Sequence, residues 1–274
     1  MNVIKKILLI IVVLVVGITL FFIASVIKVN YFSPAPDHGP VIGDLGGAPV
    51  DIPRAYARFV EYNQDPNFLE GEGEDKKRSY QSKLRSLGFE VRYPDMASAD
   101  KKTEEEKNIR TTKWMRVGVK TGEFYGAEGD RMLENKKIRY IDRKQPCSKN
   151  DCIVYQPLPE KTYGLTGYAP TGSGIDVEKR SINFGRGTSM KDKNVYFIRD
   201  KNGAVTNFIE CNNRTHAAVR CVQYFNLSPK IKAWVTVDHR KDLLPHWKEI
   251  QQLVTALIYS FEVQSTTDLT EEIK

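Results

Sequence analysis

The chain has 274 residues, enough for one large domain or two small ones, each burying its own core. Its 41 Lys and Arg against 34 Asp and Glu leave a formal charge of +7, a mild excess. The charges are interleaved, as in EGEGEDKKR and DKKTEEEKNIR, whereas a nucleic-acid surface needs a clustered basic patch, so the composition argues against a nucleic-acid partner.

Residues 7–27, ILLIIVVLVVGITLFFIASVI, contain no charge, and only Thr19 and Ser25 are polar. A helix of that length spans about 31 Å, matching a hydrocarbon core of roughly 30 Å. A cleaved signal peptide would have an apolar region of about 7 to 15 residues ending in a small-residue site. Here Ala24 and Ser25 run on into Val26, Ile27 and Lys28, so an uncleaved transmembrane anchor is expected. Lys5 and Lys6 precede the span, and between Lys28 and Arg54 there is no Lys or Arg. The positive-inside rule then makes 1–6 a cytoplasmic tail and sends the bulk of the chain across the membrane.

Residues 28–50 are rich in Pro and Gly and read as an extended tether. A first β-rich subdomain is expected over 51–142. Leu87, Phe89, Val91 and Tyr93 alternate with Glu90 and Arg92, the pattern of a half-buried strand ended by Pro94. SADKKTEEEKNIRTTKW follows as a charged helix with Ser98 or Asp100 as its cap, and WMRVGVK and KIRYID read as further strands. A second, α+β subdomain is expected over 143–265, beginning with loops that link short strands. VYFIRDKNGAVTNFIEC then reads as a hairpin around Asn202-Gly203. VRCVQYFNL and IKAWVTVDH extend it into an antiparallel meander with Ile231, Ala233, Val235 and Val237 on the buried face. The last element is an amphipathic helix starting between Asp242 and Pro245, with Leu243, Trp247, Ile250, Val254, Leu257, Ile258 and Phe261 in one stripe. Residues 266–274 form a polar tail. The expected class is α+β: a transmembrane helix, then a β-rich exported region closed by that helix.

The four cysteines form two local pairs, Cys147 with Cys152 and Cys211 with Cys221. Outside the cytoplasm, an even count at short spacing argues for disulfides, and local pairing is the simplest of three connectivities. A four-cysteine zinc site is the weaker alternative, because Cys211 and Cys221 lack knuckle spacing. The loop stapled by the second pair carries Asn213, Arg214, His216 and Arg220, and a Gly-rich loop over 171–188 carries Arg186; these are the candidate partner-binding residues. Asn213 and Asn226 also head N-x-[ST] triplets, which would be glycosylated in a eukaryotic secretory pathway.

No catalytic residue, metal ligand or cofactor motif emerges. SADK, KTG and SIN echo the serine acyl-transferase set, but Lys-Thr-Gly falls too soon after the Ser-x-x-Lys match. His38, His216, His239 and His246 have no metal-ligand spacing. Asp238 and His239 could pair as orienter and base, except that strand neighbours point to opposite faces.

The ending LVTALIYSFEV after a meander resembles the terminal region of PsbP/Mog1-like domains. DLGGAPVDIP, FVEYNQDP and GFEVRYPDM, together with the anchor and the paired cysteines before LPHWKEI, resemble immunity proteins of bacterial type VI secretion systems. That resemblance implies a single-pass inner-membrane protein with its bulk in the periplasm, binding and occluding a secreted effector toxin, often a lipase. It transfers no catalytic residues. An envelope hydrolase acting on lipid or peptidoglycan, or an envelope assembly factor, is the alternative.

Overall fold

A computed structural model describes residues 39–63, 65, 77–99, 103, 113–142, 153–172, 175–176, 181–183, 189–191, 193–213 and 219–263. The chain divides into two compact units, Met1–Gly39 and Pro40–Lys274, and every described strand belongs to the second. The expected anchor at 7–27 lies outside the described residues, among which no helix is long and apolar enough to cross a membrane.

The strands are β1 (Val41–Leu45), β2 (Ala48–Ile52), β3 (Phe59–Tyr62), β4 (Leu84–Arg92), β5 (Trp114–Lys120), β6 (Val154–Pro157) and β7 (Thr166–Thr171). They continue as β8 (Ile175–Asp176), β9 (Ser181–Asn183), β10 (Ser189–Lys191), β11 (Lys193–Arg199), β12 (Val205–Asn212), β13 (Arg220–Asn226) and β14 (Trp234–Arg240). Helices α1 (Gly122–Glu128) and α2 (Met132–Lys137) follow β5, and α3 (Trp247–Tyr259) follows β14. The main sheet is antiparallel with nine strands in the order β3-β4-β5-β14-β13-β12-β11-β7-β6. This is the α+β class, with the expected meander at β11–β14 and the expected terminal helix.

Two boundaries differ from expectation. The segments 51–142 and 143–265 are not separate layers, because β14 pairs with β5 along Trp234–Asp238 and makes one sheet of both. Separated, each would expose an edge of unpaired N–H and C=O groups. Residues 41–50, expected in the tether, belong instead to the β1–β2 hairpin, whose Val41, Leu45, Ala48, Val50 and Ile52 are buried. Its turn needs glycine. Gly46 has φ +63, and a Cβ there would lie 2.6 Å from the carbonyl oxygen of Lys232. That close approach lets the Lys232 N–H donate to the Gly46 carbonyl at 2.9 Å, which ties the hairpin to the β13–β14 connection.

One sheet face is the main core. Leu87, Phe89 and Val91 from β4, Val117 and Val119 from β5, and Val235 and Val237 from β14 meet Ile250, Val254 and Ile258 of α3. A 3-10 turn, Lys241–His246, precedes α3 and accommodates Pro245, so the α-helix proper starts at Trp247. Leu257 is half-buried at the margin of the stripe. Across the sheet end, the Tyr93 hydroxyl donates to Glu249 of α3 at 2.6 Å.

Among the described residues, the opposite face is covered over β11–β13, and Trp234 of β14 packs against the margin of that cover. There Met132 and Leu133 of α2, with Tyr140 and Ile141, pack on Val195, Phe197 and Phe208. KIRYID, expected as a strand, is helical: Ile138–Asp142 form a π-helical turn that continues α2. Tyr140 and Ile141 recur at helical spacing after Leu133, a period that the local alternation of Ile138 and Tyr140 conceals. The charged stretch 100–112 is outside the described residues apart from Thr103, and Ser98, a candidate cap, forms a β-bridge with Val91. At the β11–β12 turn, the Asp200 carboxylate accepts from the N–H groups of Asn202 and Ala204, both at 2.9 Å, and Gly203 takes φ +84.

Candidate partner-binding face

Part of that second face, over β3, β4, β5 and β14, is open among the described residues: Arg116 has 71 % of its side chain exposed and Phe59 is 65 % exposed, whereas Trp114 at the start of β5 is buried. The pleat sends Leu87, Phe89 and Val91 into the core, and therefore Ser86, Gly88, Glu90 and Arg92 outward. Register then aligns two rows across the strands. Phe59, Gly88, Gly118, Thr236 and Tyr224 stand side by side in one, and Glu90, Arg116, Asp238 and Val222 in the next.

The first row has two adjacent glycines in its middle, and the side chains on either side lean over them. The Phe59 ring leans over Gly88, where a Cβ would sit 3.4 Å from the Cβ of Phe59 and 3.5 Å from its Cδ2, and the Thr236 hydroxyl leans over Gly118, where a Cβ would sit 2.8 Å from it. The second row is ionic. Glu90 accepts from Arg58 at 2.7 Å through Oε2 and faces Arg116 at 3.4 Å through Oε1. Asp238 is held by Arg220, whose Nε donates to Oδ1 at 2.6 Å while Nη2 donates to the Asp238 carbonyl at 2.9 Å. At one margin Arg92 donates to Asp95 at 2.7 Å, and that bond holds the Asp95 carboxyl below its ordinary pKa. At the other, Phe124 of α1 packs under Arg85 and Lys120, 5.4 and 4.3 Å from its ring centre. Solvated ion pairs of this kind contribute only about 0 to 1 kcal/mol each. Their effect is to fix cationic heads in place on an uncovered surface.

The sequence-derived candidates divide. Arg220 is on this face. Asn213 sits at the end of β12, where its Nδ2 donates to Asn194 Oδ1 at 2.5 Å. Arg214, His216, Arg186, Cys147 and Cys152 lie outside the described residues. Cys211 and Cys221 are disulfide-bonded and buried, directly opposite each other on β12 and β13. The bond therefore closes the base of the 212–220 connection. A Cys211→Ser, Cys221→Ser variant is expected to lose about 2 to 3 kcal/mol, from the chain entropy of a loop this short, read as a lower urea midpoint at unchanged slope. An unchanged midpoint would show that the β12–β13 ladder alone holds the connection.

Asp238 and His239 point to opposite faces. His239 is fully buried, its Nδ1 2.7 Å from the Arg240 carbonyl, and burial lowers its pKa, so the ring is neutral at pH 7 and out of reach of the Asp238 carboxylate. They form no base and orienter. Among the described residues no group of three or more His, Cys, Asp or Glu is placed to hold a metal.

Beneath α2 lies a buried charge cluster. Glu210 of β12 is 4 % exposed, with Lys136 at 3.0 Å from Oε1 and Lys193 at 2.6 Å from Oε2. Burial alone would raise its pKa, but the two lysines together outweigh that and leave it below the ordinary glutamate value. Burial in turn lowers Lys136 despite its carboxylate partner, and raises the phenols of Tyr140 and Tyr224 beside it. Both carboxylate oxygens are occupied, so the cluster locks α2 to the sheet.

Arg58, Phe59, Glu90 and Arg116 were not among the candidates. Outward alternation on β4 marks Glu90 as solvent-facing, but the alignment of β3 and β5 beside it depends on pairings that the strands do not encode singly.

No family model matches the chain, and neither does any curated protein. Among solved structures, an immunity protein of the Stenotrophomonas maltophilia type IV secretion system is similar over 85 % of this chain and 98 % of its own, with a TM-score of 0.50 and 17 % sequence identity. At that identity the similarity establishes a shared fold, spanning nearly the whole of the other protein.

Proposed function

We propose that this protein is an immunity protein that neutralises a secreted toxin by binding it, anchored in the inner membrane through residues 7–27 with its β-rich domain in the periplasm. The observation that carries the reading is the fold shared with a secretion-system immunity protein over 98 % of that protein's length. The resemblance of the sequence to type VI immunity proteins points to the same class, although the fold neighbour serves a type IV system. The reading therefore commits to toxin neutralisation and not to the secretion machine. The open face of β3, β4, β5 and β14 supports binding as the mode of action: it joins an exposed aromatic to ordered charges, the composition of a recognition surface. Occlusion of the toxin's active site or substrate path, whether of a lipase or another toxin, follows from seating it there.

The test is a deletion strain of the source organism grown against its parent. The deletion strain is expected to be killed on contact and rescued by the full chain. In parallel, tagged full chain extracted from membranes is expected to retain one near-stoichiometric secreted protein whose toxicity it blocks. Equal survival of deleted and parental cells, with only a diffuse set of envelope proteins retained, would refute the reading.

A further inference from the structure

We infer that the open sheet face receives an acidic protein surface, seated on Phe59 and on the surplus cations around Glu90. The inference rests on the toxin-binding reading and specifies the chemistry of the partner. Its first support is charge accounting on the face itself. Glu90 is held by Arg58 and Arg116, Glu61 by Arg85, Asp95 by Arg92 and Asp238 by Arg220. Each of these carboxylates already has an arginine, so an incoming cation would have to displace one. An incoming carboxylate meets the opposite situation. Arg116 shares Glu90 with Arg58 at the longer distance of 3.4 Å and is 71 % exposed, and Lys120 has no carboxylate within ion-pair reach among the described residues. Complementary charge steers encounter and sets specificity.

The second support is the placement of the ring. Phe59 leans over Gly88, whose missing side chain gives it room, and stays 65 % exposed between the arginines of one row and Lys120 at the margin. An apolar group of the partner can rest against the exposed side of the ring while its carboxylates reach Arg116 and Lys120. Arg58 stacks near the same ring, 5.7 Å from its centre, which places anchor and cation in one footprint. Aromatic anchors beside arginines are the residues that dominate binding energy at protein interfaces.

The test uses the full chain in the deletion strain challenged by parental cells, with four variants: R116E alone, R58E with R116E, F59A, and K248E on the exposed side of α3 as control. Binding to the toxin captured by the wild type is measured alongside. Expected are at least tenfold weaker binding for R116E, about thirtyfold for F59A, loss of protection by the double variant, and wild-type behaviour for K248E. Wild-type binding should also weaken as salt rises, and that dependence should shrink in the double variant. Should the double variant fail to accumulate, R116E decides, since its side chain is largely in solvent. If the wild type protects and binds, but R116E and F59A do so equally well, the inference is overturned and the toxin-binding reading stands. If the wild type itself gives no protection, the reading fails, and the inference with it. A wild-type dimer broken by F59A would assign the face to a second copy and also overturn it.

Discussion

Replacing Glu210 with alanine is expected to remove about 3 to 5 kcal/mol of stability, since it strands Lys136 and Lys193 as unpaired cations in a site enclosed by α2 and the rings of Tyr140 and Tyr224. The lysine side chains are 17 and 26 % exposed, too enclosed for water to replace the carboxylate fully. Equilibrium urea unfolding measures the loss directly. The same cluster sets a pH dependence. The folded pKa of Glu210 lies below its unfolded value, so its contribution is complete above the ordinary glutamate pKa of about 4.3 and is lost as pH falls through the lower folded value. The wild-type urea midpoint should therefore fall more steeply on acidification than that of the alanine variant. A triple replacement of Glu210, Lys136 and Lys193 by methionine separates pairing from packing. It should recover most of the loss, since a buried ion pair exchanged for apolar groups of similar volume is often neutral or better. An E210A variant as stable as wild type would mean that the cluster is solvated in solution.

The second large effect lies in the core. Phe89→Ala should cost about 3 to 5 kcal/mol, the range for a buried phenylalanine. Its ring is 2 % exposed and meets Tyr56 and Phe261 edge to face, with centroids 5.9 and 6.2 Å apart. Removing it opens a cavity where β4, the turn before β3 and the chain after α3 converge. Phe59→Ala is the instructive contrast. Phe59 is paired with Gly88, the residue just before Phe89, yet it is exposed, so truncating it should change stability by no more than about 0.5 kcal/mol. Thermal melts of the two variants side by side would settle the assignment of the two faces, and a large loss in F59A would contradict it.

Alternation made much of this architecture legible. Leu87, Phe89 and Val91, and later Ile231, Ala233, Val235 and Val237, announce a one-sided sheet, and the terminal helix carries its own stripe. Helical α1 and α2 escaped because they are short, with too few turns for a period to stand out beside the adjacent strand pattern. The union of both halves into one sheet also escaped: β5 and β14 are far apart in sequence, and nothing in either strand names its partner. The candidate face was hidden for the same reason. Arg58, Glu90 and Arg116 become one ionic group only when β3, β4 and β5 are laid side by side. Arg220 was reachable because it sits next to Cys221, and a cysteine pair signals its geometry through spacing alone.

The pleat of β4 has a consequence for how such a protein can change over time. Successive residues of one strand answer to different demands: Leu87, Phe89 and Val91 are constrained by packing, Gly88, Glu90 and Arg92 by whatever meets the outer surface. On the toxin-binding proposal, a lineage can thus rewrite the outward letters one at a time to follow an opponent that is itself changing, without renegotiating the inward ones. Relatives facing different opponents should agree at the inward positions of β4 and β5 and differ at the outward ones, diverging in sequence far faster than in shape.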